Sequence, residues 1–156
     1  MPHEERYGEM PGQHLYMQLI FLVFMVVWIL DSFIFHLSTF LTVYIHLLFR
    51  ILIAIIIFGI GAGFVQKSHT VLLDDAPSGL VTDGIMAHVR HPMYLGIILI
   101  YLAFVISTMS LLSFLPWFIV IIFHDKFATY EEQKLVEQFG EEYIKYKQQV
   151  PKWIPR

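Results

Sequence analysis

Cysteine is absent from the 156 residues, which excludes disulfides, thiolate nucleophiles and thiolate metal sites together. Charge is scarce as well, with Asp, Glu, Lys and Arg making up 15% of the chain against about 25% in an average soluble domain. The little charge present sums to −3, from 10 Lys and Arg against 13 Asp and Glu. No basic stripe or nucleic-acid motif accompanies it, so a nucleic-acid partner has no electrostatic support. The segment 1–9 is acidic and polar where a secretory leader would be basic, so no cleaved leader is expected. What the chain has instead is apolar surface, 57% hydrophobic residues and a mean hydropathy of +0.65, more than water tolerates on a domain of this size.

That surface gathers into long runs. Residues 15–35 hold a single formal charge, Asp31, and match the roughly 20 residues that a membrane-spanning helix needs. Residues 40–65 form a second run, apolar apart from His46 and Arg50, and ending in Gly59, Gly61 and Gly63. Residues 66–92 change character: Lys67, Asp74, Asp75, Pro77, Gly79, Asp83, Gly84 and Arg90 predict a polar loop outside the hydrocarbon. Residues 93–123 carry no formal charge and are too long for one span yet barely enough for two. Ser107, Thr108, Ser110, Ser113 and Pro116 predict a tight helical hairpin there, its second arm starting near Leu111. That arm is expected to continue into a charged C-terminal helix on which Leu135, Phe139, Tyr143, Tyr146 and Val150 recur on one face. Lys126, Lys134, Lys145, Lys147, Lys152 and Arg156 follow the last span, which places the C-terminus in the cytoplasm by the positive-inside rule. Four spans then put the N-terminus and the 66–92 loop on the same side. The expected fold is an all-α integral membrane helical bundle of about four transmembrane helices. It has a short helical hairpin and a cytosolic C-terminal amphipathic helix, in one membrane domain over 1–156.

Two segments carry chemistry. The first, Arg90-His91-Pro92-Met93-Tyr94-Leu95-Gly96, stands where the chain enters its third span. Pro92 suits the first helical position, and Gly96 lets a backbone or ligand approach closely. The bland use of Arg90 and His91 is anchoring at a membrane interface. The second, Glu131-Glu132 followed by Phe139-Gly140-Glu141-Glu142-Tyr143 and Val150-Pro151, offers carboxylates to hydroxyls or an ammonium. Taken alone it reads equally well as a solvated helix face with i, i+4 partners.

Together the two segments resemble the isoprenylcysteine carboxyl methyltransferase family and its phospholipid methyltransferase relatives, whose signature is Arg-His-Pro-x-Tyr-x-Gly, an apolar gap and Glu-Glu. The likeness runs from about Ser78 to Pro155 and includes Leu80-Val81-Thr82-Asp83-Gly84. It implies a site for S-adenosyl-L-methionine without a Rossmann fold, on Leu80, Val81, Met86, His91, Pro92, Met93, Tyr94 and Glu131, with Gly96 and Glu132 completing the motifs. It implies a lipophilic methyl acceptor, a prenylated or lipid molecule with a carboxylate or amine. The halves of the domain would then be an N-terminal two-helix hairpin, 1–65, and a catalytic half, 66–156. It also requires the hairpin, because a single span would leave the two motifs on opposite faces of the membrane. Where family members that act on a prenylated cysteine carry an arginine, four residues before the first Glu, this chain has Phe127. Lys126 stands next to it but points about 100° away on a regular helix. No general base is required for a carboxylate acceptor; an amine would bring in His88 or a glutamate.

Weaker signals remain. Arg50, deep in the second run, predicts a paired or functional charge, with an acceptor head group as its sharper reading. Asp31 is expected to meet His46 across a turn near Ser38. Gly59, Gly61 and Gly63 predict close helix packing rather than a nucleotide loop. The rival activities are a metalloenzyme on His88, His91, His124 and Glu131, a non-catalytic membrane scaffold, and an NADPH-dependent sterol reductase, against which the intact Arg-His-Pro counts.

Overall fold

Helix is the only regular structure among the residues that the computed structural model describes, 10–70 and 79–155. Segment 1–9, the loop residues Asp74, Asp75, Pro77 and Ser78, and Arg156 lie outside them. Helix α1, Gln13–Ile29, starts at Gly12, whose φ of +75° only glycine adopts easily. It runs on into a π-helical turn, Leu30–Phe35, so the 15–35 run is helical to its end. Helix α2 is Leu47–His69, α3 is Pro92–Thr108, α4 is Phe114–Phe139 and α5 is Glu141–Gln149. Gln13–Phe35 and Leu47–His69 are long and apolar enough to cross a membrane. Leu19, Leu22, Leu48, Ile55, Leu115 and Phe118 stand exposed around the bundle, the surface that lipid covers in an all-α membrane bundle.

Helix α3 lies at the centre, with Tyr94, Ile98, Tyr101, Ala103 and Val105 all buried. Trp28 of α1 donates its indole N–H to the Phe104 carbonyl and Trp117 of α4 to that of Ile98, each at 3.0 Å. Helix α2 packs antiparallel against α3 at very short range. A Cβ added to Gly61 would lie 2.7 Å from the Gly96 carbonyl oxygen, and one added to Gly96 only 2.5 Å from that of Gly61. Arg50 bonds Ser107 in the same register, since 50 + 107 and 61 + 96 both equal 157, and the buried pair Ala54 and Ala103 falls on it too. Small residues on one diagonal let the two backbones approach. Gly59 and Gly63 meet nothing within 4 Å, so of the three glycines expected to pack helices only Gly61 does.

The hairpin between α3 and α4 is present. Met109, at φ +53°, ends α3, and Ser110 and Ser113 are buried in the turn. Three expectations need correction. Helix α2 begins at Leu47 rather than near residue 40, because Phe40–Val43 closes a 3-10 turn and the His46 ring then caps α2, accepting from Leu48 N–H at 3.3 Å. Asp31 therefore does not meet His46. It accepts from Ser38 N–H and from the hydroxyls of Ser38 and Ser110, which ties the end of α1 to the α3–α4 turn. Finally, the C-terminal helix is broken at Gly140, φ +55°. Tyr143, Tyr146 and Val150 reach Leu135, Phe139 and Leu80 by folding back rather than along one continuous face.

Candidate functional site

Where α3 begins, four segments of the chain meet. His91 stands at the N-cap of α3 and Pro92 takes the first helical position, where a missing N–H leaves nothing unpaired. Before it, the 3-10 turn Gly84–Ala87 turns Met86 inward, and the Tyr146 hydroxyl donates to the Met86 carbonyl at 2.7 Å. Burial pushes the Tyr146 phenol up to about 12, so it remains a donor. Helix α4 returns to this end with Glu131 and Glu132, α5 adds Lys147, and the Pro151 carbonyl accepts from Arg90 N–H at 3.0 Å. The motifs that the hairpin was required to unite do come together, 41 residues apart in sequence.

Glu132 is 4% exposed and sits among three cationic groups. Its Oε1 lies 3.1 Å from His91 Nε2, and its Oε2 accepts from Lys147 Nζ at 2.8 Å. Arg90 Nη1 is 3.1 Å from Oε1 but outside hydrogen-bonding geometry, and Arg90 Nε is buried with no partner. Burial works against the carboxylate, yet the bonds from His91 and Lys147 and the charge of Arg90 outweigh it and hold the group down at about 2. His91 also faces Glu131, Nδ1 to Oε2 at 3.5 Å. Burial disfavours its charge, but hydrogen bonds to Glu131 and Glu132 raise its pKa above the ordinary value, as fits a ring with a carboxylate at each nitrogen.

The two glutamates thus divide. Glu132 is enclosed by its partners, while Glu131, with 28% of its side chain exposed, reaches out to solvent beside His91. The arrangement presents the unpartnered donors of Arg90 for an anionic group, near a carboxylate that can accept from an ammonium or hydroxyl. Tyr94 stacks on His91, centroids 5.8 Å apart, and its hydroxyl accepts from Gln13 at 2.9 Å. Pro92 is buried under them, Met93 packs against the Tyr94 and Phe127 cluster, and Leu80 lies on the Tyr143 cluster with Val81 half-buried after it. Gly96 is turned to α2, as described above.

The three residues weighed for the substrate are dispersed, Phe127 beside Tyr94 and Lys126 and Arg50 away from it. Phe127 is fully buried between Tyr94 and Ala128. Lys126 is exposed and sits over the Phe123 ring at 5.7 Å. Because α4 is regular there, Lys126 cannot replace an arginine at 127. Arg50 bonds the Ser107 carbonyl, 16 residues along α3 from His91, or about 24 Å at 1.5 Å per residue. It is in the first turn of α2, not mid-span, and does not face the motif site. The metal rival finds no centre: His88 Nδ1 pairs with its own turn at the Gly84 carbonyl and His124 Nδ1 with that of Val120. Among the described residues no three His, Asp or Glu gather to hold an ion.

Sequence reasoning missed Lys147, Gln13 and Trp153. Lys147 reaches Glu132 only because the chain reverses at Gly140, which hides its helical phase. Trp153, 6.0 Å from the His91 ring, is fixed by its N–H to Asp125 Oδ1 at 3.1 Å, a carboxylate that Lys152 also bonds at 2.6 Å. The Trp-x-Pro ending carried no visible signal for this.

Comparison with known proteins adds a family. Residues 45–142 match the family model described as phospholipid methyltransferase, an interval holding Arg90–Gly96 and Glu131–Glu132. The chain is 40% identical over 77 residues to protein-S-isoprenylcysteine O-methyltransferase of Schizosaccharomyces pombe, covering 49% of this chain and 33% of that one. It is 35% identical over 88 residues to methanethiol S-methyltransferase 1 of Bradyrhizobium diazoefficiens, 56% and 30% of the two chains. A third match, 31% over 77 residues, is protein-S-isoprenylcysteine O-methyltransferase B of Arabidopsis thaliana, 49% and 39%. The matched segments span roughly a third of these relatives' length. No solved structure matches.

Proposed function

This chain belongs to the phospholipid methyltransferase family, and from that membership we propose that it is an integral membrane methyltransferase dependent on S-adenosyl-L-methionine. The observation that carries the proposal is the meeting of Arg90, His91 and Glu132, buried, with the half-exposed Glu131 at one end of the bundle. The methyl donor would supply an electrophilic carbon on its sulfonium. Its amino-acid end fits what the chain offers: Arg90, whose Nε has no partner, takes the carboxylate, and Glu131, held toward it by His91, takes the ammonium or a ribose hydroxyl. Met86, Met93 and Tyr94 present apolar and aromatic surface for the adenine, and Leu80 and Val81 offer it backbone groups. Glu132 positions rather than binds, holding His91 and Arg90 in place.

The acceptor is lipophilic and enters from the bilayer. Transfer to an ionised carboxylate requires alignment and exclusion of water rather than a proton shuttle. Phe127 leaves this chain without an arginine clamp at its position, which favours acceptors other than a prenylcysteine carboxylate. The membrane arrangement is four spans, with the termini, the 66–92 loop and the ion cluster on the cytoplasmic side. Calorimetric titration in detergent tests the cofactor site. Wild type is expected to bind S-adenosylmethionine and its demethylated product, and Glu131→Ala and His91→Ala to lose both while melting cooperatively. No binding by well-folded wild type would overturn the proposal.

A further inference from the structure

A cavity of about 620 Å³ opens between the end of α1, the start of α2 and the end of α3, at the end of the bundle remote from the ion cluster. Its walls change character along α2. Thr39, Thr42 and His36 surround the opening with Arg50, while Ile55 and Phe58 line the part nearer the bundle's middle. From residue 50 to residue 58 is about 12 Å of helix, so polar and apolar halves are separated along the direction that would be the membrane normal. Phe33, Leu47, Ile51 and Ile55, exposed by 37–63%, form an apolar rim.

Arg50 supplies the charge. It is 8% exposed and has one long hydrogen bond, 3.3 Å from Nη1 to the Ser107 carbonyl. Its Nε is buried with no partner. Among the described residues no carboxylate pairs with it, and Asp31 is committed to Ser38 and Ser110. The carbonyl end of α3 offers only about half a negative charge. An unpaired guanidinium in such surroundings is costly, and an anion in the cavity would relieve it.

We propose that this cavity holds an anionic phospholipid of the leaflet opposite the Arg90–Glu132 cluster, with its phosphate on Arg50 and Thr39 and an acyl chain along Ile55 and Phe58. The apolar rim, together with the four-span arrangement above, points to a lipid rather than to free phosphate. Arg50 is about 24 Å along α3 from His91, so this lipid is not the methyl acceptor. It is a structural ligand that closes the gap between α1, α2 and the end of α3.

Trp28 lines the cavity and is one of three tryptophans, which provides the readout. Delipidated protein in neutral detergent is titrated with phosphatidylglycerol brominated in its acyl chains, and separately with matched brominated phosphatidylcholine and with inorganic phosphate. Saturable quenching by phosphatidylglycerol at tenfold or more lower concentration than by phosphatidylcholine is expected. Trp28→Phe should remove the saturable part. Arg50→Gln should erase the tenfold preference and Arg50→Lys retain it in part. Equal quenching by both lipids in wild type, which needs no variant to fold, would overturn the proposal. So would a preference that survives in folded Arg50→Gln, or relief of quenching by millimolar inorganic phosphate, which would identify the site as one for the free ion. No methyl donor enters the measurement, so its failure leaves the methyltransferase reading untouched.

Discussion

Glu132 and His91 each favour the charged form of the other, and their protonation makes the stability of this end of the bundle depend on pH. Glu132 is held at about 2 against an ordinary 4.5, so its contribution is whole above pH 4.5 and is lost as pH falls through 2. His91 is raised above 6.5; its contribution is whole below pH 6.5 and is lost as pH rises through the raised value. The melting temperature in detergent is therefore expected to decline as pH rises above 6.5 and through the raised value, and His91→Gln should flatten that decline. An unchanged decline in the variant would mean that the folded protein does not favour the charged form of His91. At this scale the sequence was legible where chemistry is encoded in short words: Arg90-His91-Pro92 and Glu131-Glu132 were both visible, and they meet. Which glutamate is enclosed was not legible, because that depends on Lys147, brought in by the reversal at Gly140. Asp31 was misassigned for a related reason: its partners, Ser38 and Ser110, lie in turns whose geometry hydropathy does not describe.

Helices depend on their contacts rather than on their own apolar character. Among the three glycines at the end of the second run, only Gly61 touches another backbone, and this divides them sharply. Gly61→Val or Gly96→Val would force α2 and α3 apart along the whole 157 register. Each is expected to cost several kcal/mol, the upper end of what overpacking does, read as lost folded yield or a large drop in melting temperature. Gly59→Ala and Gly63→Ala meet open space and should change stability by no more than about 1 kcal/mol. Similar losses from all four would remove the close contact as an explanation. The sequence showed that small residues pack helices but not which face they lie on, since an all-round apolar helix has no phase to read. It placed the hairpin correctly because Ser107 to Ser113 interrupts the apolar run. It started α2 too early because residues 40–46 are apolar without being α-helical.

The lack of cysteine makes the whole molecule a clean background for mapping sidedness. If four spans place both ends of the site in the cytoplasm, Thr82→Cys and Lys145→Cys in sealed vesicles should react with a membrane-impermeant maleimide from the same side. Tyr44→Cys, at a position 82% exposed, should react only from the other. Labelling of all three from one side would leave the hairpin intact but invalidate the span count. The direction of synthesis also imposes an order on these contacts. Asp31 is made before its hydroxyl partner Ser110, which lies 79 residues later and so follows by roughly 4 to 16 seconds at about 5–20 residues per second of synthesis. During that interval the first helix carries a carboxylate whose bonds are incomplete. The nascent α1 is thus an unsatisfied guest of the insertion machinery until the last hairpin arrives, and a ribosome stalled before residue 110 would leave it without a berth.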